Sequence, residues 1–311
     1  MPDKVAFIGV GLIGERMARR VIQAGYSLVV YDVRPEQLDS LVKEGAEAAA
    51  SPKDAAARCP IILLSLPNSD IVEAVCLGKN GIIHGAQAGT IVVDLTSGDP
   101  PQTVKISDRL AESGIKMVDV GVAGSFPQAE KGTLGVIAGG EIEAFERVWP
   151  VLQSFSNRRY HLGKIGNGHF VKSLNNFLGA AYYVAACEAI IVAAKAGLDP
   201  NKVLEVLNDG GGRSTATENR IPAWLKRDFS RGMAVELLVK DVATTCGLGR
   251  EHKTPMFMAN TLHQLLMHAA AEIGYKEHNG AIAKAFEKWG EVEVKADQKS
   301  PPQTVSKTSD F

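Results

Sequence analysis

Charge of one sign is scarce in this sequence: 34 Lys and Arg stand against 35 Asp and Glu in 311 residues, a formal net charge of −1. No global field is available to gather nucleic acid or anionic lipid, so neither a nucleic-acid partner nor a membrane is expected. Cysteine is equally sparse. The four, Cys59, Cys76, Cys187 and Cys246, form no C-x-x-C pair and no zinc spacing, and the seven histidines make no H-E-x-x-H. Met1-Pro2-Asp3-Lys4 leads directly into an apolar run of strand character, so this run is expected to be a first strand rather than a secretory signal. These absences point to a reduced, cytoplasmic protein without a structural metal. With 45% hydrophobic and 22% charged residues the chain is globular and long enough for one large or two ordinary domains.

Up to about residue 160, short β-rich runs alternate with helix-length segments. The runs are Val5 to Ile8, Leu28 to Tyr31, Ile61 to Leu66, Ile91 to Leu95, Met117 to Val122 and Leu134 to Ala138. Near-continuous apolar runs of this kind predict parallel strands covered on both faces, hence an α/β, doubly wound N-terminal domain. Ile13 to Ala24, Pro35 to Lys43, Asp70 to Val75 and Gln102 to Glu112 read as helices, with Gly25, Gly45 and Gly114 as stops. After Gly168 the texture becomes all-α. The Ala-rich stretch Phe170 to Ala196 is apolar around most of its circumference, but Lys172, Asn175, Asn176, Glu188 and Lys195 interrupt it, which favours a buried helix over a membrane span. The expected organisation is a doubly wound domain over residues 1–163, an all-helical domain over 164–290, and a flexible tail over 291–311. No internal repeat is evident.

Gly9-Val-Gly11-Leu12-Ile13-Gly14 follows the first predicted strand and opens the first predicted helix, the context in which G-x-G-x-x-G is informative. Gly9 suits a tight turn, Gly11 admits a pyrophosphate close to the backbone, and Gly14 allows helix and strand to pack, with the helix N-terminus supplying N–H donors. Asp32 ends the second strand, near the spacing of about 20 residues expected for a carboxylate that accepts from a ribose hydroxyl. Such a carboxylate repels a 2′-phosphate, while Arg34 offers such a phosphate a partner, so the sequence favours NAD, with NADP as the lesser alternative.

At the junction of the two halves lies Gly163-Lys-Ile-Gly166-Asn-Gly168-His-Phe-Val-Lys172-Ser-Leu-Asn175-Asn176. Lys172 and Asn176, four apart, share one face of a helix with Asn175 beside them, so an ammonium and a carboxamide can grip one substrate oxygen. Apolar neighbours and an oxidised nicotinamide would disfavour the ammonium and suit Lys172 to proton transfer near neutral pH. From the residues alone, a lysine snorkelling out of a helix start is an equal reading.

Together, the glycine fingerprint, Asp32 and the G-x-x-G-x-G-x-x-x-K-x-x-x-N run resemble the β-hydroxyacid dehydrogenase family, from about residue 4 to 290. That family includes 3-hydroxyisobutyrate and threonate dehydrogenases and tartronate semialdehyde reductase. The resemblance implies a Rossmann domain followed by a helical one, and hydride transfer between a nicotinamide and a small β-hydroxy acid or its semialdehyde. It also implies a homodimer or homotetramer. By it Lys172 is the acid/base, Asn176 orients substrate and Asn175 supports it. Lys240, of Lys240-Asp241, lies near nicotinamide and substrate, and Leu66, Pro67, Thr96 and Ser97 touch the cofactor. One motif departs. The family's D-x-P-V-S-G-G reads Asp119-Val-Gly121-Val-Ala123-Gly124-Ser125, so the serine that helps bind the substrate carboxylate is Ala123. Backbone N–H groups at Ala123, Gly124 and Ser125 remain candidates for that carboxylate, with the Ser125 hydroxyl as substitute. Ser125, Phe126 and Gln128 read equally as pocket or as ordinary loop.

Two other functions fit the same fold. One is a non-catalytic dinucleotide-binding scaffold, against which the retained Lys172 and the lack of a basic tract argue. The other is an imine reductase, whose branch generally lacks the lysine.

Overall fold

The computed structural model describes residues 4–230 and 232–295. The strands are β1 (Val5–Ile8), β2 (Leu28–Tyr31), β3 (Glu47–Ala48), β4 (Ile61–Leu64), β5 (Ile91–Asp94), β6 (Lys116–Ala123), β7 (Leu134–Gly139) and β8 (Ser156–His161). Between and after them run α1 (Leu12–Gln23), α2 (Asp39–Lys43), α3 (Pro52–Arg58), α4 (Ser69–Leu77), α5 (Pro100–Ala111), α6 (Phe126–Lys131) and α7 (Ile142–Leu152). Then come α8 (Asn167–Lys195), α9 (Pro200–Asp209), α10 (Ile221–Leu225), α11 (Val235–Glu251), α12 (Phe257–Ile273) and α13 (Ile282–Gly290).

One sheet has the order β3-β2-β1-β4-β5-β6-β7-β8. From β1 the chain winds outward to β3 on one side and, after returning to β4, outward on the other. The carboxyl ends of β1 and β4 therefore flank the switch point at which open α/β sheets bind ligands. β1 and β4 are buried on both faces, which is why they read as unbroken apolar runs. One face of the sheet packs Val5, Phe7, Val118 and Val136 against Met17 of α1 and Phe145 of α7. The other packs Ala6, Ile8, Ile62 and Leu64 against Ile106 and Leu110 of α5.

The expectation of parallel pairing throughout is corrected at one place: β6 and β7 are antiparallel. The connection from Gly124 to Thr133 holds only the short α6, too short for a crossover that would bring the chain back to the start of β6. β8 escaped the sequence reading because Ser156–His161 is polar and mostly exposed, as an edge strand can be.

Two compact units divide the chain, one through Asn175 and one from Asn176 onward. In the second, Ala180, Tyr183, Val184, Cys187, Ile190 and Ile191 of α8 are buried at three- and four-residue steps, the repeat of one helix face. They share a core with Leu238 and Val242 of α11 and Leu262 and Leu266 of α12. α8 is long and apolar enough to cross a membrane by length and composition, and this core accounts for its buried face. Within the segment expected as a tail from Glu291, Val294 packs into the fold. Val294 is buried, its N–H donates to Glu287 Oε1 at 2.9 Å, and its carbonyl accepts from Arg227. Residues 296–311, the rest of that expected tail, lie outside the described residues.

Candidate active site

The glycine turn follows β1 directly. Gly9 has φ +90°, and a Cβ there would stand 2.3 Å from the Ser65 carbonyl oxygen, so both conformation and space demand glycine. A Cβ on Gly14 would lie 2.2 Å from the Gly9 carbonyl oxygen, which explains the close packing of α1 on the turn. Around Gly11 the protein leaves open space: nothing lies within 4 Å of the Cβ position. Gly11 is the N-cap of α1 and provides no side-chain cap, so the backbone donors of the first turn face a region that the chain's own side chains do not fill. A pyrophosphate fits this cradle and its donors.

Asp32, just beyond β2, is held against the turn. Its Oδ2 accepts the Val10 N–H at 3.0 Å and its Oδ1 accepts the Arg34 N–H at 3.0 Å, while Arg34 Nε stands 3.6 Å from Oδ1 and its side chain is exposed. Beside it, the loops after β4 and β5 are tied together. Leu66 N–H donates to Thr96 Oγ1 at 3.1 Å, and Thr96 N–H donates to Asp94 Oδ1 at 3.0 Å. Thr96 is buried, Leu66 and Ser97 are half-buried, and Pro67 is exposed. Leu12 at the start of α1 is 61% exposed, so this apolar side chain is presented outward, and Ile13 is half-buried.

Lys172 is buried in the second turn of α8. Its stem stands against β6: a Cβ on Gly121 would come within 2.5 Å of the Lys172 Cβ. The start of α8 is clamped by Asp119 of β6, whose Oδ1 accepts the Gly166 N–H and whose Oδ2 accepts the His169 N–H, each at 2.7 Å. Asp119 thus satisfies donors that the helix start leaves unpaired, a cap supplied from another element. Gly168 must be glycine because a Cβ would stand 2.5 Å from the Ile137 carbonyl oxygen. His169 donates Nε2–H to the Asp94 carbonyl oxygen at 3.1 Å, and its Nδ1 lies 2.9 Å from Thr103 Oγ1. The sequence reading missed Asp94, Asp119 and His169 as a group. No spacing links residues so far apart, although Asp119 heads a motif that resemblance had already marked.

The carboxylate of Asp94 is wholly buried, and its Oδ2 has no hydrogen-bond partner among the described residues. Burial pushes this carboxyl above its ordinary value of 3.8, opposed by the His169 ring and by the bonds from Thr96, and reinforced by Asp119. The native state therefore binds a proton on this carboxyl more tightly than the unfolded chain does. Its contribution to stability is fullest below 3.8 and is lost as pH rises through the elevated native value. Asp94→Asn keeps an acceptor for Thr96 and removes the charge, so it is expected to raise Tm at pH 7, with the gain shrinking toward pH 4. Equal Tm differences at both pH values would refute this account.

The loop expected to hold a substrate carboxylate is folded on itself. Ser125 caps α6, and both its N–H and its hydroxyl donate to Gln128 Oε1, at 2.9 and 3.0 Å. Ala123 is half-buried, and Gly124, at φ +147°, has a Leu134 methyl 2.6 Å from its Cβ position. In the helical unit, Asn176 is buried and donates Nδ2–H to Asp241 Oδ2 at 2.6 Å, while Lys240 Nζ pairs with Asp241 Oδ1 at 3.1 Å. Asp241 thereby orients both residues, a role the sequence reading did not assign. Asn175 is exposed, on a different side of α8 from Lys172 and Asn176. Among the described residues, no group of three or more His, Cys, Asp and Glu is placed to hold a metal ion.

A glycine turn after β1 and an acid just beyond β2, at the switch point of a doubly wound sheet with a helical unit following, are the arrangement of dinucleotide-dependent dehydrogenases. Comparison with known proteins agrees. Residues 4–163 match the NAD binding domain of 6-phosphogluconate dehydrogenase, and residues 166–286 match the NAD-binding domain of NADP-dependent 3-hydroxyisobutyrate dehydrogenase. The chain is 33% identical to 2-(hydroxymethyl)glutarate dehydrogenase of Eubacterium barkeri, over 95% of this chain and 98% of that one. It is 31% identical to L-threonate dehydrogenase of Cupriavidus necator, over 92% and 97%. A solved 3-hydroxyisobutyrate dehydrogenase from Salmonella typhimurium superposes with a TM-score of 0.82 at 27% identity, covering 91% of this chain and 99% of that one. The chain belongs to the β-hydroxyacid dehydrogenase family. It is an NAD(P)-dependent oxidoreductase acting on CH–OH groups.

Proposed function

We propose that the enzyme interconverts a small β-hydroxy acid and its semialdehyde with NAD as the preferred cofactor, Lys172 serving as acid/base. The observation that carries this reading is the burial of Lys172 and Asn176, one turn apart on α8, while Asn175 between them is exposed. A dinucleotide held at the Gly9–Gly14 turn would supply the redox partner, its nicotinamide accepting hydride from the carbinol carbon in oxidation or giving it to the carbonyl carbon in reduction. In oxidation Lys172 Nζ takes the hydroxyl proton; in reduction it returns one to the carbonyl oxygen. Asn176, its amide set by Asp241, directs a second N–H at that oxygen. The substrate carboxylate is assigned to the backbone of Ala123, Gly124 and Ser125, with Ser125 exchanging its Gln128 bond for the ligand. Lys240 is assigned to the nicotinamide side. The outward apolar residues Leu178, Tyr182 and Val192 of α8 support a homodimer or homotetramer.

Asp32 is assigned the ribose hydroxyls. Its carboxylate faces the turn through Val10, and it excludes a 2′-phosphate more strongly than the exposed Arg34 attracts one. A screen of small hydroxy acids, followed by NADH absorbance, tests the activity, and kcat/KM for NAD and NADP on the best substrate tests the assignment. The wild type is expected to favour NAD and Asp32→Ala to narrow the preference. A wild type favouring NADP, or an unchanged preference in the variant, would overturn the assignment of Asp32.

A further inference from the structure

Two consecutive arginines on the edge strand β8 have different surroundings. Arg159 bonds both oxygens of Glu146, at 3.1 and 2.8 Å, and lies over the Trp149 ring, so it fastens β8 to α7. Arg158 points to the opposite face. It pairs with no carboxylate among the described residues and makes one long hydrogen bond, from Nη2 to the Thr133 carbonyl oxygen at 3.5 Å. That face is also the one on which Lys172 stands. Gly121, against the Lys172 stem, and Ala123 lie two apart on β6 and so share it. Ala123 is in register with Gly135 of β7, and Gly135 with Arg158. Because Gly135 has no side chain, the guanidinium lies back over it: the Cβ position at Gly135 is 3.8 Å from Arg158 Nη2 and 3.6 Å from the Ala123 Cβ. A cation without an acidic partner among the described residues thus flanks the position at which the motif serine is replaced by alanine.

We propose that Arg158 is a specificity-determining residue that binds a second carboxylate on the substrate, so that the preferred substrates are hydroxy dicarboxylic acids. This rests on the hydroxy-acid reading above. A guanidinium fork matches a carboxylate with two parallel hydrogen bonds, and with Arg158 exposed there is no ion pair among the described residues to break on binding. β6 and β8 are two strand spacings apart, about 10 Å, and the guanidinium reaches back across part of that distance. An acid group a few carbons beyond the one at Ala123–Ser125 spans the remainder.

The test compares kcat/KM for 3-hydroxy-2-methylpropanoate with those for 2-(hydroxymethyl)butanedioate and 2-(hydroxymethyl)pentanedioate, in wild type, Arg158→Gln and Arg158→Lys. The wild type is expected to favour a dicarboxylate. Arg158→Gln should lower the dicarboxylate-to-monocarboxylate ratio about 10- to 100-fold, chiefly through KM, the size of a lost charge-assisted bond. Arg158→Lys should keep part of the preference. A wild type indifferent to the second carboxylate, or an unchanged ratio in Arg158→Gln, overturns the inference alone. No turnover of either class by the wild type overturns the hydroxy-acid reading and this inference with it.

Discussion

Lys172→Ala is expected to lower kcat by about 10²- to 10⁴-fold while leaving the fold and NAD binding in place, the range that positioned acid/base groups contribute. The Lys172 stem stands beside Gly121 of β6, at a different place in the sheet from the Gly9–Gly14 turn, so the loss should fall on turnover. Its stem is braced against Gly121, and the helix that carries it is capped by Asp119, so the amine is held at a fixed place rather than sampling solvent. Lys172→Arg should fail as well, because a guanidinium stays protonated and cannot accept the hydroxyl proton. The measurement is kcat against pH for both variants, with NAD affinity and thermal unfolding checked separately. Near-normal turnover by a folded, NAD-binding Lys172→Ala would remove Lys172 from the mechanism and make Lys240 the next residue to test.

Asp119→Ala should cost about 3–5 kcal/mol of stability, since two short bonds from backbone N–H groups to a buried carboxylate are lost and both donors are left without an acceptor. Asp119→Asn, which keeps one acceptor oxygen, should cost less. Both variants loosen the first turn of α8, so kcat should fall further than affinity for NAD does. Denaturant unfolding followed by steady-state kinetics checks the two effects. A stability loss below about 1 kcal/mol would mean that water or a shift of the helix start replaces the clamp.

The correspondence between these residues and the sequence is uneven for a physical reason. β1, β2, β4 and β5 were legible because a strand buried on both faces must be continuously apolar, and α1 because Gly14, Met17, Ala18 and Val21 recur at helical spacing. The turn at Gly9 was legible because positive φ and a carbonyl at contact distance admit only glycine. Lys172 and Asn176 could be paired because a helix brings residues four apart to one face. In each case the chain's own neighbours within a few positions, or a requirement of burial, are enough to leave a mark.

What depended on tertiary structure are the partnerships between distant residues. Nothing in the polar Ser156–His161 announces a strand; the neighbouring edge of β7 makes it one. Ser125 looked available to a ligand by its motif position, yet the fold of α6 brings Gln128 back onto both of its donors. Whether Asn175 or Asn176 faces inward follows from the rotation of α8 about its axis, which packing fixes. Asp119 on Gly166 and His169, Asp241 on Asn176, and Arg158 over Gly135 are likewise decided by which elements lie side by side. Sequence by itself therefore determined the doubly wound architecture, the dinucleotide turn and the lysine–asparagine pair, since these follow from local geometry and burial. Only the tertiary structure decided what holds that pair in place and which cation stands beside Ala123, because a hydrogen bond or a charge carries no record along the chain of the distant partner it will meet.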